Sequence, residues 1–308
     1  MSGVRHAAEE YLAVRRALGF KLASQGRLLL QFADFADASG ASVITPELCL
    51  RWARQPAEAD PTWWNMRLSV VRGFARHLHG LDPRTEVPAR DVLTARKRRT
   101  VPHLYSPADI DALMNHARHI RSPLKAHTYE TLIGLLAVTG MRVGEAIGLD
   151  RDDVDVDAAV VVVRCGKNGR SREIPVHPST IDALSVYTQR RHELCARPSS
   201  ASFLVSSMGT RLDYRCVWRE FDRLRRQAGL QGRSPSHPPR LHDLRHSFVL
   251  STLLNWYHSG VDIDAKLPVL STYLGHVDPA SSYWYFEAAP ELLALAAERL
   301  SYAWETQT

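Results

Sequence analysis

The sequence predicts a mainly α-helical protein with one small antiparallel β-sheet, organised as an N-terminal helical domain and a larger C-terminal domain. The length of 308 residues, 45% of them hydrophobic, is enough for two domains that each bury a sizeable core. Apolar residues recur at helical spacing through most of the chain. One valine-rich stretch, residues 151–178, interrupts this pattern with β-forming residues.

The first domain is predicted to span residues 1–88 and to consist of amphipathic helices. In the third of them, Thr45 followed by Pro46 supplies an N-cap residue and a first-turn proline. The helical runs cover residues 6–20, 25–40, 45–54 and 61–81.

The fourth run has two faces. Its apolar stripe consists of Met66, Val70, Phe74 and Leu78, and its basic face consists of Arg67, Arg72 and Arg76. We expect the basic face to lie against phosphates, with Arg67 and Arg72 as DNA-binding residues. A solvated surface is the alternative.

The basic residues of the chain are almost all arginines. Only five of the 39 are lysines, the net charge is +6, and the isoelectric point is near 9.3. The planar guanidinium suits phosphate oxygens. A nucleic acid is therefore a reasonable partner, although a base-composition bias in the genome would give the same arginine content.

A basic linker is predicted at residues 89–104, where prolines break the helical pattern. It carries a run of four basic residues that could follow a DNA backbone or simply be solvated: Arg96, Lys97, Arg98 and Arg99. Ser106 and Pro107 then start the first helix of the second domain, residues 105–308.

The second domain is predicted to be helical around a three-stranded antiparallel sheet. The β-formers lie near 154–156, 160–163 and 174–176, and Gly166–Gly169 is a hairpin turn signal. The helical runs cover residues 126–140, 179–194, 213–229, 241–256 and 290–304.

Cysteine usage and hydropathy predict a reduced, cytoplasmic protein. The four cysteines form no C-x-x-C pair, which argues against a disulfide framework or a zinc knuckle. We see no apolar run of membrane-spanning length and no signal peptide, so we expect a soluble, intracellular chain.

The stretch 239-PRLHDLRHSF-248 crowds two arginines and two histidines at the start of a helix. Three interpretations compete. His242 and His246 are spaced like a zinc pair, but Asp243 stands where the H-E-x-x-H pattern has Glu. A structural polar network is the second interpretation. In the third, His242 and Arg245, which share a helix face, clamp and protonate a phosphate.

Other parts of the chain favour the phosphate interpretation. In 139-TGMRVGEAIGL-149, Arg142 follows a helix-ending glycine and Glu145 is placed to hold it. Lys167 lies at the hairpin tip, and 273-YLGHVDPASSYWYF-286 adds His276 and two tyrosines. Arginine and lysine can neutralise charge in phosphoryl transfer as Mg²⁺ otherwise does, and a tyrosine can be the nucleophile.

Five motifs follow one another in the chain: T-G-x-R-x-x-E, a hairpin lysine, H-x-L-R-H, L-G-H and a tyrosine nine residues after that histidine. In this order they resemble the tyrosine recombinase family of phage integrases and Xer recombinases. Each motif is weak alone, and the ordered set is specific. The resemblance implies an N-terminal core-binding domain and a C-terminal catalytic domain that together clamp DNA.

The resemblance also implies roles for individual residues. Arg142 and Arg245 would bind the scissile phosphate, Lys167 would protonate the leaving oxygen, and His242 and His276 would hydrogen-bond the phosphate. Tyr285 would attack and leave a 3′-phosphotyrosine, whereas Tyr283, two residues earlier, would be a core aromatic. Glu145 would hold Arg142 in place without contacting the phosphate itself. The residues flanking the hairpin lysine could bind the DNA backbone: Arg164, Arg170 and Arg172.

The implied reaction is site-specific strand exchange without a metal, ATP or any other cofactor. The implied partner is double-stranded DNA with inverted-repeat-like sites, bound by a homo-tetramer on synapsed DNA and by a monomer or weak oligomer otherwise. Accessory or sister recombinases are further candidate partners, and localisation at the nucleoid is expected. A type IB topoisomerase-like enzyme and an inactive DNA-binding relative remain the alternatives. The sequence does not choose among integration, excision, resolution and transposition.

Overall fold

The computed structural model describes residues 3–93, 102–164, 171–232 and 237–275. The chain divides into two compact units, Met1–Arg99 and Thr100–Thr308. Within the described ranges no helix is long and apolar enough to cross a membrane.

The first unit is a four-helix assembly of α1 (Val4–Ala17), α2 (Ala23–Ala38), α3 (Pro46–Ala53) and α4 (Pro61–His79). The predicted N-cap of α3 is confirmed, because the Thr45 hydroxyl accepts a hydrogen bond from the Leu48 amide at 3.3 Å. Phe32 of α2 packs edge-on against Trp52 of α3 in the centre of the core.

The two faces of α4 differ from the prediction. Met66 is exposed, whereas Arg67 and Arg72, expected to bind DNA, are each only 7% exposed. The Arg67 guanidinium stacks on the Trp52 ring, 3.7 Å from its centroid, and donates to the Trp52 carbonyl at 2.8 Å. Arg72 donates to the carbonyls of residues 88 and 89 at 2.9 and 2.8 Å.

The expectation that Arg67 and Arg72 contact DNA is therefore corrected. Backbone carbonyls at the end of α3 and after α4 need donors inside the unit, and a guanidinium supplies several at once. Arg76, by contrast, is exposed. Leu93 also belongs to the core of this unit, so the first part of the segment predicted as a linker packs with the first unit.

The second unit contains the three-stranded sheet that was predicted. Strands β1 (Val154–Asp155), β2 (Val160–Val163) and β3 (Arg172–Pro175) pair antiparallel in the order β1-β2-β3, with the Cα of Val161 opposite Val154 and Ile174. The predicted mainly α fold class with a small antiparallel sheet is confirmed.

Among the helices of this unit, α6 lies at the centre and packs against α5, α8 and α10, while α11 packs against β3. The predicted start of α5 is confirmed by a capping box in which Ser106 and Asp109 satisfy each other's backbone amides. The described helices are α5 (Pro107–Arg118), α6 (Pro123–Thr139), α7 (Val143–Ala146), α8 (Pro178–Leu194), α9 (Tyr214–Gln227), α10 (Leu241–His258) and α11 (Ile263–Leu274).

Helix α11 was not predicted. It buries Leu267, Leu270 and Leu274, and with α10 it forms a small apolar cluster of its own. Pro268 inside the helix hid the helical pattern in the sequence, since a proline usually ends a helix.

Candidate active site

Arg142 stands at a sharp turn between α6 and α7. Helix α6 ends at Gly140, whose φ of +59° is the left-handed conformation that glycine adopts at little cost. Arg142 is then the N-cap of α7, and its amide donates to Glu145 Oε2 at 2.9 Å. The predicted support of Arg142 by Glu145 is confirmed, because Arg142 Nη1 donates to Glu145 Oε1 at 2.8 Å.

The Glu145 carboxylate binds a second arginine as well. Arg172 of β3 donates from Nη1 to Oε1 at 3.1 Å and from Nη2 to Oε2 at 2.7 Å. Burial acts to raise the pKa of Glu145, but the hydrogen bonds and charges of Arg172 and Arg142 overcome it and lower the pKa to about 2. Glu145 is therefore a carboxylate at all ordinary pH values.

Arg245 of α10 joins the ends of two helices. It is only 2% exposed, and it donates from Nη1 to the Gly140 carbonyl and from Nη2 to the Leu274 carbonyl, both at 2.8 Å. Arg142 Nη2 reaches the Gly275 carbonyl at 3.3 Å, and Arg172 Nε reaches the carbonyl of residue 273 at 2.8 Å.

The carbonyl ends of α6 and α11 therefore meet three arginines. The last carbonyls of a helix have no partner within the helix and carry partial negative charge. The guanidiniums of Arg142, Arg172 and Arg245 satisfy them, and this network fixes Arg142 and Arg245 at one place although they are far apart in sequence.

The start of α10 repeats the arrangement of α7. Arg240 is the N-cap residue, and its amide donates to the buried Asp243 carboxylate at 2.9 Å while its Nη2 donates at 2.8 Å. Both helices thus begin with an arginine followed three residues later by an acid, as in 142-RVGE-145 and 240-RLHD-243.

His242 and His246 lie one helical turn apart, with perpendicular rings whose centroids are 5.0 Å apart. Burial lowers the pKa of His242, and the charges of Arg245, Arg240 and Arg142 add to this effect while Asp243 opposes it. Burial, followed by the His242 charge, lowers the pKa of His246 to about 4. Both rings are therefore expected to be neutral at pH 7.

Arg142 and Arg245 meet at the joined ends of α6 and α11, and His242 lies three residues before Arg245 on the same face of α10. The Arg142 side chain keeps 26% of its surface exposed, and the two guanidinium contacts given above use two of its five N–H donors. Among the described residues, no group of three or more His, Cys, Asp or Glu is arranged to hold a metal ion.

Several predicted site residues fall elsewhere. Arg172 was expected on the DNA backbone, and this is corrected: its guanidinium is committed to Glu145 and the end of α11. Arg164 is 61% exposed and forms an ion pair with Asp153. The following lie outside the described residues: Arg96, Lys97, Arg98, Arg99, Lys167, Arg170, His276, Tyr283 and Tyr285.

Sequence reasoning missed the contributions of Arg172, Arg240 and Asp243 to this site. The repeated arginine-acid spacing at two helix starts could have indicated the Arg240–Asp243 pair. No pattern in the neighbouring sequence indicates that Arg172 belongs to the site, because its partners are 27 and 101 residues away.

The fold and the site define a mainly helical protein with a partly exposed arginine–histidine cluster suited to a phosphate group. Comparison with known proteins identifies the class more closely. The model of the phage integrase family matches residues 105–291. The chain belongs to this family of tyrosine-type site-specific recombinases.

Two relatives illustrate the match. The chain is 45% identical over 314 residues to y4rB of Sinorhizobium fredii, named as an integrase/recombinase, and covers 100% of both proteins. It is 27% identical over 296 residues to the tyrosine recombinase XerC of a Roseiflexus species, covering 92% of this chain and 86% of that one.

Solved structures share the fold. The Tn1549 transposon integrase in complex with transposon right end DNA aligns with a TM-score of 0.69 at 16% identity, covering 97% of this chain and 100% of that one. The XerH site-specific recombinase bound to palindromic difH substrate aligns with a TM-score of 0.65 at 18% identity, covering 88% and 77%.

Proposed function

We propose that this protein cuts and rejoins DNA strands at specific sites through a 3′-phosphotyrosine intermediate, without a metal ion or ATP. The observation that carries the proposal is the meeting of Arg142 and Arg245 at the joined ends of α6 and α11, with His242 three residues before Arg245 on α10. Two fixed guanidiniums and an imidazole suit a phosphodiester whose charge grows in the transition state.

In the proposed reaction, the Tyr285 hydroxyl oxygen attacks the scissile phosphorus and the bond to the 5′ oxygen breaks. Lys167 gives a proton to that oxygen, which leaves as a free 5′-hydroxyl. His242 and His276 hydrogen-bond the phosphate and assist removal of the tyrosine proton. Attack by a 5′-hydroxyl from another strand reverses these steps and exchanges the strands, so the bond energy is conserved in the phosphotyrosine.

The lowered pKa of His242 suits this role. A neutral imidazole can accept a proton and can donate a hydrogen bond from its other nitrogen, whereas an imidazolium can only donate. The positive charge at the site then comes from the arginines.

The proposed partner is double-stranded DNA with inverted-repeat-like sites, and the proposed assembly is a tetramer on synapsed DNA. Support comes from related folds: structures of the family include a lambda integrase tetramer bound to a Holliday junction, with a TM-score of 0.62 at 18% identity. Arg164, Arg170 and the run 96–99 are the proposed contacts to the DNA backbone.

Covalent trapping tests the proposal. Nicked duplexes from the ends of the genetic element that carries the gene are incubated with the protein in EDTA, and denatured products are separated in detergent. We expect a protein–DNA adduct that is lost in Tyr285→Phe and kept in Tyr283→Phe. Loss only in Tyr283→Phe would move the nucleophile, and no adduct despite tight DNA binding would favour the inactive DNA-binding alternative. Relaxation of a supercoiled plasmid without strand exchange would favour the topoisomerase-like alternative.

A further inference from the structure

Arg172 is an arginine without a proposed role in catalysis, yet it is bound more completely than the proposed phosphate-binding Arg142. Its side chain is 11% exposed, against 26% for Arg142. The two terminal nitrogens hold both oxygens of Glu145, and Nε holds the carbonyl of residue 273. This planar three-point contact needs a guanidinium, because a lysine ammonium is a single point charge.

The charges around Glu145 give this contact a consequence for Arg142. One carboxylate lies between two guanidiniums, so the group of three carries one net positive charge. Because the positive charge of Arg172 balances the negative charge of Glu145, the positive charge of Arg142 can still attract an anion at its exposed side. Without Arg172, the carboxylate would cancel Arg142 at short range.

Arg172 also lies against the turn that supports Arg142 from the other side. A Cβ built on Gly275 would come within 2.9 Å of Arg172 Nη1, and the Gly275 carbonyl accepts from Arg142 Nη2. The φ of Gly275 is +65°, so this close approach depends on glycine. Arg172 therefore shares the Glu145 carboxylate with Arg142, and it binds the end of α11 at the carbonyl of residue 273, two residues before the carbonyl that Arg142 uses.

We propose that Arg172 is a positioning residue of the strand-cleavage site, which neutralises Glu145 so that Arg142 keeps its charge and its orientation for the scissile phosphate. The inference rests on the proposed function. It assigns a catalytic consequence to a β3 side chain that does not itself reach the DNA.

The test measures two quantities for each full-length variant: the single-turnover rate of adduct formation at saturating protein, and the affinity for the same nicked duplex by mobility shift. We expect Arg172→Gln to slow adduct formation about 100-fold, as a small misplacement of a catalytic group does. Its DNA affinity should change little. Arg190→Gln is the matched control, because Arg190 forms an exposed ion pair with Glu193 three residues away.

A double variant separates charge balance from simple structural support. If Arg172 acts by neutralising Glu145, then Glu145→Gln in the Arg172→Gln protein removes the unbalanced carboxylate and should restore the rate at least about tenfold. A residue with a merely structural role would show no such rescue, since a second lost contact deepens the damage. A double variant as slow as Arg172→Gln, or slower, would overturn the inference.

Arg172→Lys covers the case in which Arg172→Gln does not fold. It keeps the charge but loses the two-pronged contact, so we expect it to cleave about tenfold more slowly than the wild type. A wild-type rate from either single variant would overturn the inference and leave the proposed function intact. Failure of the wild-type protein to form any adduct would instead count against the proposed function.

Discussion

Arg245 donates from Nη1 to the backbone carbonyl of Gly140 at 2.8 Å, across 105 residues of sequence. Arg142 follows Gly140 by two residues, so this bond ties the position of one proposed phosphate-binding arginine to the other. The arrangement requires Gly140 to expose its carbonyl toward α10, which its left-handed conformation allows. A change in the backbone conformation of Gly140 would therefore displace both arginines.

Gly140→Ala should damage both stability and cleavage. A Cβ at this position would lie 2.4 Å from Cδ1 of Phe248, and the φ of +59° disfavours any side chain. Strain of this kind costs about 1–3 kcal/mol, and overpacking adds to it. We expect a lower unfolding temperature of the second unit and loss of most adduct formation, measured by thermal unfolding and by the trapping assay.

Gly144→Ala is the matched control for this change. A Cβ on Gly144 would meet nothing within 4 Å, and the residue lies inside α7. Replacing a glycine inside a helix by alanine stabilises by roughly 0.5–1 kcal/mol, so this variant should unfold no earlier than the wild type. If Gly140→Ala behaved like Gly144→Ala, the turn would not constrain the arginines as described.

The buried arginines of α4 lead to a prediction about DNA binding. Arg67→Met removes a stacked guanidinium and its bond to the Trp52 carbonyl, so we expect the first unit to lose about 1–3 kcal/mol of stability. The salt dependence of DNA affinity should stay unchanged, because Arg67 is buried away from phosphates. Affinity measured between low and moderate salt checks this.

A variant of the basic run provides the contrast. If residues 96–99 contact phosphates, replacing Arg96, Lys97, Arg98 and Arg99 by glutamine should reduce the slope of log affinity against log salt by up to about one for each contact. Its unfolding temperature should match the wild type. A reduced slope in Arg67→Met together with an unchanged slope in the quadruple variant would reverse both assignments.

The features that could be predicted from the sequence are those with local signals. The cap at Thr45, the turn before Arg142 and the valine strands are each encoded within a few residues, and all three are present. The destinations of Arg67 and Arg172 could not be predicted in this way. An arginine has the same sequence signature whether it faces phosphate or a buried carbonyl, and the carbonyl that each one binds is fixed only by tertiary packing.

The end of α11 shows the same limit and gives a further prediction. The L-G-H motif indicated His276 as a site residue, but not that the Gly275 carbonyl accepts a hydrogen bond from Arg142. Gly275→Ala would force a Cβ to within 2.9 Å of Arg172 Nη1 at a φ of +65°. We expect it to slow adduct formation more than it weakens DNA binding. Equal loss of binding and cleavage would indicate that the unit has unfolded instead.

The paired histidines predict how stability depends on pH. The folded-state pKa of His246 is lowered to about 4, whereas an unfolded histidine titrates near 6.5. The unfolded chain therefore binds the proton more readily, and the contribution of His246 is fully present above pH 6.5 and is lost as the pH falls toward 4. The loss should reach about 2–3 kcal/mol at the lower end.

His246→Gln isolates this effect from the carboxylates that also titrate in acid. Glutamine cannot take up a proton, so the unfolding temperature of the variant should fall less steeply than that of the wild type between pH 6.5 and 4. Glu145, with its pKa lowered to about 2, loses its stabilising contribution as the pH falls below about 4.5, and it does so in both proteins. Its effect cancels in the comparison. Parallel curves for wild type and His246→Gln would show that His246 does not resist protonation, and the two rings would then not be held neutral by the burial described for this site.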